Sequence, residues 1–299
     1  MMGHSSLKGI ADAGLSPGGR VDAWSANAVS YVALDVDGTL VQELPTPGER
    51  VLSAVRALTS QGVAVGLATG RMAASARSIL ATGVFTGPHV FNNGAVTTDG
   101  DGRERSVLGL TDDEVDAVLE LGRQREDVWV EVYLSDEYLA DRTDPRSGLH
   151  VDLLGLAPSG RIASARELNG RPAVKAVMVC LTEEAERHTL EAVRSHGLAA
   201  GSAGSPATPQ LRYVNITRSG VDKGSGVAAA AGSAGIDLPE VVCIGDETND
   251  IPALERAGTA IAMGGSAPAV TASAHFVAPD FAQDGAAVAL EALRVLDRR

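Results

Sequence analysis

Aromatic side chains are scarce: Phe, Trp and Tyr make up 3% of the 299 residues, so any core has to be built mainly from Ala, Val and Leu. The 2 cysteines, Cys180 and Cys243, lie in the apolar runs 177–181 and 241–244, which favours buried thiols over a bridge or a metal ligand and suggests a reducing cytoplasm. No apolar stretch approaches the roughly 20 residues that cross a bilayer, and the N-terminus lacks the charged-then-apolar order of a signal peptide. A soluble, unexported protein with no membrane partner is expected. Positive charge is in deficit, with 25 Lys and Arg against 38 Asp and Glu and a net charge of −13. Such a field repels polyanions and argues against nucleic acid as a partner, so an anionic substrate would need local cations. What is present, 44% hydrophobic and 21% charged residues, is the balance of a globular chain long enough for a compound domain with an insertion.

Residues 1–30 are rich in Gly, Ser and Ala with weak periodicity and read as a flexible leader. From Tyr31 short β-rich runs alternate with amphipathic stretches: strand 31–36, helix 48–60, strand 63–68, helix 72–81 and strand 89–91. The first helix is bounded by Thr46 as N-cap, Pro47 at the first helical position and Gly62 just past its end. The pattern resumes after 215 with helix 223–234, strand 241–244, helix 248–257, strands 260–262 and 275–277, and helix 285–296. Between 95 and 214 the texture changes to a hairpin at 99–102, helix 112–125, strands 128–134 and 173–181, helix 183–195 and strand 211–214, an inserted α+β layer. Its segments 135–171 and 199–209 read as loops, the second as a flexible connection.

The most informative stretch is Leu34-Asp35-Val36-Asp37-Gly38-Thr39-Leu40, where two carboxylates stand at i and i+2 as an apolar strand runs into a glycine turn. That pairing suits a nucleophile and an acid/base partner facing one crevice, which can hold Mg²⁺ and a phosphate. Three further segments, Thr69-Gly70-Arg71, Lys223 and Asp246 through Asp250, also sit where strands end or helices begin, so in a parallel sheet they converge on the same edge.

LDVDGTL, LATGR, VDKGSGV and GDETND, in that order, resemble the four motifs of haloacid-dehalogenase-type phosphohydrolases. The large insert between the second and third motifs, the Asn92-Asn93-Gly94-Ala95 exit and the closing run 284–288 resemble the Cof-type branch. The resemblance implies an α/β fold: a Rossmann-like doubly wound parallel sheet core (31–94 and 215–299) with an inserted α+β cap domain (95–214) that is mobile and covers the core. It also implies a phosphatase of small phosphorylated metabolites, sugar phosphates among them, with Mg²⁺ as cofactor; the cytoplasmic location is the expectation from the cysteines. In the family's manner Asp35 attacks phosphorus to form an aspartyl-phosphate, and Asp37 protonates the leaving oxygen and then takes a proton from the hydrolytic water. Asp35 and Asp246 bind the metal directly, Asp37 through its backbone carbonyl, and Asp250 through water or by orienting the other ligands.

Thr69 and the amide of Gly70 bind phosphoryl oxygens, Lys223 neutralises Asp35 and the phosphoryl group, and Asn249 reaches the phosphate. Arg71 either reaches substrate or pairs with the acidic surface. Each has a plainer reading: a turn or cap at Thr69, an N-cap at Asp246 or Glu247, a solvated lysine at 223. In the insert, Tyr133, Arg142, Arg146 and His150 are read as surface residues rather than substrate contacts. Two rival functions remain open, a phosphomutase or phosphotransferase of the same fold and a non-catalytic phosphometabolite-binding regulator. Oligomeric state has no signal.

Overall fold

The computed structural model describes residues 12–42, 45–204 and 208–296. Its chain divides into two compact units, one of residues 71–75 and 107–221, the other of the remaining described residues.

The unit that holds residues 12–70, 76–106 and 222–296, here the first unit, is built on a six-stranded sheet in the order Ser16–Pro17, Phe276–Val277, Thr259–Ala262, Val241–Gly245, Tyr31–Leu34, Ala64–Leu67. All pairings are parallel except that of Ser16–Pro17. Apart from Ser16–Pro17 at the far edge, chain order runs outward in both directions from Tyr31–Leu34, so the topological switch point of this doubly wound sheet lies between that strand and Val241–Gly245. The register puts Leu34 opposite both Ile244 and Leu67. Three strands therefore end within one residue of the same level, and Asp35, Asp246 and Thr69 follow within two residues. The β-branched and alanine-rich composition of these strands suits a sheet covered on both faces: Tyr31, Ala33, Cys243, Ala260 and Ala262 pack with Val227, Ala230, Leu254 and Val270 from the helices.

Several boundaries differ from the sequence reading. The leader is not free from residue 12 onward; residues 1–11 lie outside the described chain. Ser16–Pro17 pairs with Phe276–Val277, an edge position where proline is tolerated. Leu15, Trp24 and Val29 are buried, Trp24 Nε1 donates to Thr259 Oγ1 at 2.9 Å, and the Trp24 ring meets Phe276 edge-on at 5.1 Å. Three isolated apolar anchors carry no periodicity, which is why the segment looked structureless. Trp24→Ala is expected to cost about 3–5 kcal/mol in denaturant unfolding; a mobile leader would leave stability unchanged.

The first helix is Glu49–Thr59, with Gly48 as its N-cap and no side-chain cap, so Thr46 and Pro47 precede it. The expected helix 72–81 is a 3₁₀ segment Ala73–Ala76 followed by Arg77–Leu80. Strand Val96–Thr98 pairs with His89–Phe91 in a three-stranded sheet with Glu104–Val107, so the insertion begins near 107 rather than at 95. It ends at Val221 rather than 214, because strand Arg212–Thr217 runs on to Thr217 along its partners.

The second unit carries an antiparallel sheet in the order Ala199–Gly204, Arg212–Thr217, Lys175–Cys180, Val128–Tyr133, Tyr138–Ala140, with Gly160–Arg161 added in parallel. Val128, Val130, Val132, Met178 and Ile216 alternate onto one core with Val115, Val118 and Leu119 from helix Asp112–Arg123. The helix starts in a capping box between Thr111 and Glu114. Both expected loops hold regular structure among the described residues, with 205–207 of the second lying outside them. The first contains Tyr138–Ala140, helix Ser147–Leu154 and Gly160–Arg161, and the second contains Ala199–Gly204, a strand of small residues held by its neighbour rather than by propensity. Tyr133 and His150 are not surface residues: Tyr133 Oη donates to Glu131 Oε2 at 2.8 Å and His150 Nδ1 lies 2.9 Å from Glu131 Oε1, all three buried. Arg142 bonds Asp141 and the carbonyls of Arg125 and Gly122, while Arg146 pairs with Asp144 at 2.8 Å.

Candidate active site

Asp35 leaves the sheet at the switch point with its N–H donating to Ile244 O at 2.9 Å. The chain then closes a tight loop in which Leu40 and Val41 both donate to Val36 O at 2.9 Å. Gly38 makes the turn possible in two ways. Its φ is +85°, and a Cβ there would lie 2.1 Å from Asp246 Oδ2. Thr39, buried, donates from Oγ1 to Asp246 Oδ1 at 2.8 Å. The sequence reading quoted Thr39 within its motif and gave it no role; in the fold it orients the carboxylate at the end of Val241–Gly245.

Lys223 opens helix Lys223–Ser233 behind the N-cap Asp222, whose side chain accepts from Ser225 N at 2.6 Å. The helix lies flush on its neighbours, since a Cβ on Gly224 would meet Pro252 O at 2.2 Å and one on Gly226 would meet Gly94 Cα at 2.5 Å. This close packing drives Lys223 inward, where it is 2% exposed, so it is not a solvated lysine. Its Nζ donates to Asp35 Oδ1 at 2.7 Å and also bonds Asp250 Oδ1. The other oxygen of Asp250, Oδ2, accepts from the N–H groups of Asp246 and Glu247, each at 3.0 Å, and so braces the turn that presents Asp246.

Asp35, Asp246 and Asp250 form a three-carboxylate cluster whose oxygens come within 4.8 Å of one another. Burial, then the charge of Asp250, push the Asp35 carboxyl well above the usual carboxylate range against the opposing pull of Lys223. Burial likewise pushes Asp246 up to about 6, opposed by the hydrogen bond from Thr39. For Lys223 burial works to lower the ammonium, but Asp250 and Asp35 outweigh it and hold the group charged. One cation therefore serves three crowded carboxylates. The donor set is all hard oxygen, and a further positive charge relieves the remaining repulsion, so the residues fit a small divalent cation.

Thr69 is fully buried, with its N–H donating to Val90 O at 2.9 Å, and Gly70 follows it half-buried. Asn249 is exposed and donates from Nδ2 to Asn93 Oδ1 at 3.1 Å. Asp37 is exposed and is not one of the three clustered carboxylates. Arg71 belongs by its packing to the second unit, where its Nη1 donates to Ser75 O at 3.3 Å. Among the described residues no helix is long and apolar enough to cross a membrane.

A doubly wound sheet with this carboxylate cluster at its switch point defines a class of proteins that can hold a cation at the carboxyl ends of parallel strands, and comparison makes it specific. The pattern of haloacid dehalogenase-like hydrolases matches residues 32–290, and the chain belongs to that family, in its Cof-type branch. The chain is 27% identical over 273 residues to the 5-amino-6-(5-phospho-D-ribitylamino)uracil phosphatase YitU of Bacillus subtilis (strain 168), covering 86% of this chain and 94% of that protein. Its fold matches the HAD phosphatase BT1666 from Bacteroides thetaiotaomicron with a TM-score of 0.75 at 23% identity, over 90% of this chain and 96% of that one. It matches the subclass IIB sugar phosphatase BT4131 with the same TM-score of 0.75 at 22% identity, over 89% and 100%.

Proposed function

We propose that this phosphoric monoester hydrolase is Mg²⁺-dependent, acts on small phosphorylated metabolites, sugar phosphates among them, and works through an aspartyl-phosphate on Asp35. The observation that carries the reading is the setting of the Asp35 carboxylate: at the switch point, 2.7 Å from the buried Lys223 ammonium and within a cluster completed by Asp246 and Asp250. The names of the relatives above, a phosphoribityl compound's phosphatase and a sugar phosphatase, support the substrate class.

An Asp35 oxygen attacks phosphorus while Asp37 gives a proton to the leaving alcohol oxygen, forming one O–P bond as the other breaks. Asp37 then takes a proton from a water that attacks the same phosphorus, and the Asp35 carboxylate departs. Lys223, Thr69, the Gly70 amide and Asn249 hold the equatorial oxygens as charge spreads over them. Asp35, Asp246 and the Asp37 carbonyl would hold Mg²⁺, with Asp250 orienting them, and the ion supplies charge neutralisation at the phosphoryl group.

Release of inorganic phosphate from a panel of sugar phosphates, nucleotides and cofactor phosphates tests the reading, ranked by kcat/KM. Release that requires Mg²⁺ and stops with EDTA supports it; product appearing on an added sugar acceptor instead of as free phosphate contradicts hydrolysis. Metal affinity should follow the Asp246 proton. A ligand has to be ionised, and burial pushes the Asp246 carboxyl up to about 6 and the Asp35 carboxyl well above its usual range, so Mg²⁺ affinity falls at least about tenfold per pH unit below about pH 6. Calorimetric titration at about pH 5 and about pH 7.5 checks this.

A further inference from the structure

Asn93 carries none of the roles above, yet its backbone and its side chain each touch a phosphoryl-binding loop of the proposed site. Asn92, Asn93 and Gly94 follow one another at φ of 51°, 55° and 99°. Left-handed backbone is uncommon even at single non-glycine residues, and a run of it persists only where the surroundings over-determine it. Here they do. A Cβ on Gly94 would lie 2.1 Å from Asp222 O, immediately before Lys223, and Asn93 N donates to Thr69 O at 3.1 Å.

That conformation directs the Asn93 amide to Asn249, whose Nδ2 donates to Asn93 Oδ1 at 3.1 Å. The same oxygen would be 3.1 Å from a Cβ on Gly70, so the absence of a side chain at 70 is what makes room for it. One residue thus ties the loop after Ala64–Leu67 to the 3₁₀ turn Thr248–Asp250, which also carries Asp250. An exposed amide-to-amide hydrogen bond adds little to stability, so its value lies in orientation.

We infer that Asn93 is a positioning residue for phosphoryl binding: its side-chain oxygen holds the Asn249 amide so that the remaining N–H faces the phosphoryl oxygens, while its backbone fixes Thr69. This rests on the phosphatase reading and extends it to a residue outside the four motifs.

Asn93→Gly separates the two contributions, because glycine adopts the left-handed backbone freely, keeps the N–H to Thr69 and removes only the amide. With para-nitrophenyl phosphate and Mg²⁺, kcat/KM is expected to fall roughly 10- to 100-fold. Inorganic phosphate, titrated calorimetrically, should bind about tenfold more weakly with an unchanged melting temperature. In an Asn249→Ala background the Asn93→Gly change should have no further effect. Undiminished kcat/KM and phosphate affinity in Asn93→Gly, or the same loss in both backgrounds, overturns the inference. Should Asn93→Gly not fold, Asn93→Gln, which moves the amide by one methylene, is expected to show the same losses, and wild-type values there overturn it equally. The wild type separates the two readings. Phosphate binding without turnover contradicts the phosphatase reading while leaving the Asn93 contrast measurable by affinity; wild-type turnover with an indifferent Asn93→Gly contradicts this inference alone.

Discussion

Asp35→Asn is expected to reduce turnover of para-nitrophenyl phosphate by on the order of 10⁴-fold or more, the scale on which removal of a nucleophile acts in covalent catalysis. The same variant should not be less stable than the wild type in EDTA. These two outcomes are linked by the electrostatics of the cluster. Burial and the neighbouring Asp250 and Asp246 charges disfavour an ionised Asp35, so its folded-state pKa is raised. A group raised in this direction binds more protons in the folded than in the unfolded chain, and its contribution to stability falls as pH rises through the window from the unfolded carboxylate value upward. Above the unfolded carboxylate range the metal-free fold is therefore penalised at position 35, by a buried charge or by the proton taken up to avoid it. An uncharged amide removes that penalty and leaves Lys223 to Asp250. Loss of activity with retained or increased stability separates a residue kept for chemistry from one kept for structure; loss of both would make Asp35 a structural partner of Lys223.

Lys223→Met should show the opposite balance, losing both. Its ammonium is 2% exposed and bonds Asp35 and Asp250, so removing it leaves clustered carboxylates with no cation. Breaking a buried pair in this way costs about 3–5 kcal/mol while the partners stay ionised. The partners will protonate to limit that loss, so the destabilisation should grow as pH rises and shrink in acid. Mg²⁺ should recover part of it by replacing the missing positive charge. Turnover should fall on the order of 10³-fold, since the cation that stabilises charge on the transferring group is gone. Denaturant unfolding of Lys223→Met at about pH 5 and about pH 8, with EDTA or Mg²⁺, checks all three expectations. A variant equally stable at both pH values and indifferent to Mg²⁺ would mean that the three carboxylates are not electrostatically coupled.

The sheet core and its crevice were legible because their signals are local. Apolar runs ending in Asp35 and Asp246, and a glycine after each aspartate pair or before it, mark strand ends, and parallel strands bring such ends together. Lys223 was legible only by association: on its own a lysine at a helix start reads as surface, and what buries it is the close approach of Gly224 to Pro252 and Gly226 to Gly94, contacts between segments distant in sequence. Thr39 was on view in its motif and Asn93 in the exit run 92–95, but their roles depend on partners 207 and 156 residues away, Asp246 and Asn249. The packing of residues 12–30 was missed for a related reason. Leu15, Trp24 and Val29 are too sparse to produce a period, and they are ordered by the sheet they cover. In the second unit, Ala199–Gly204 has the composition of a linker and becomes a strand because Arg212–Thr217 offers it a full ladder.

The covalent step is tested most directly in Asp37→Asn, which lacks the group that activates water but can still be phosphorylated by para-nitrophenyl phosphate, whose leaving group needs little help from an acid. Samples quenched in acid within the first turnover, digested and weighed by mass spectrometry should show one phosphoryl group on the peptide containing Asp35 and none elsewhere. Nitrophenol release with that peptide unmodified, or with the phosphoryl group on another residue, would contradict the account.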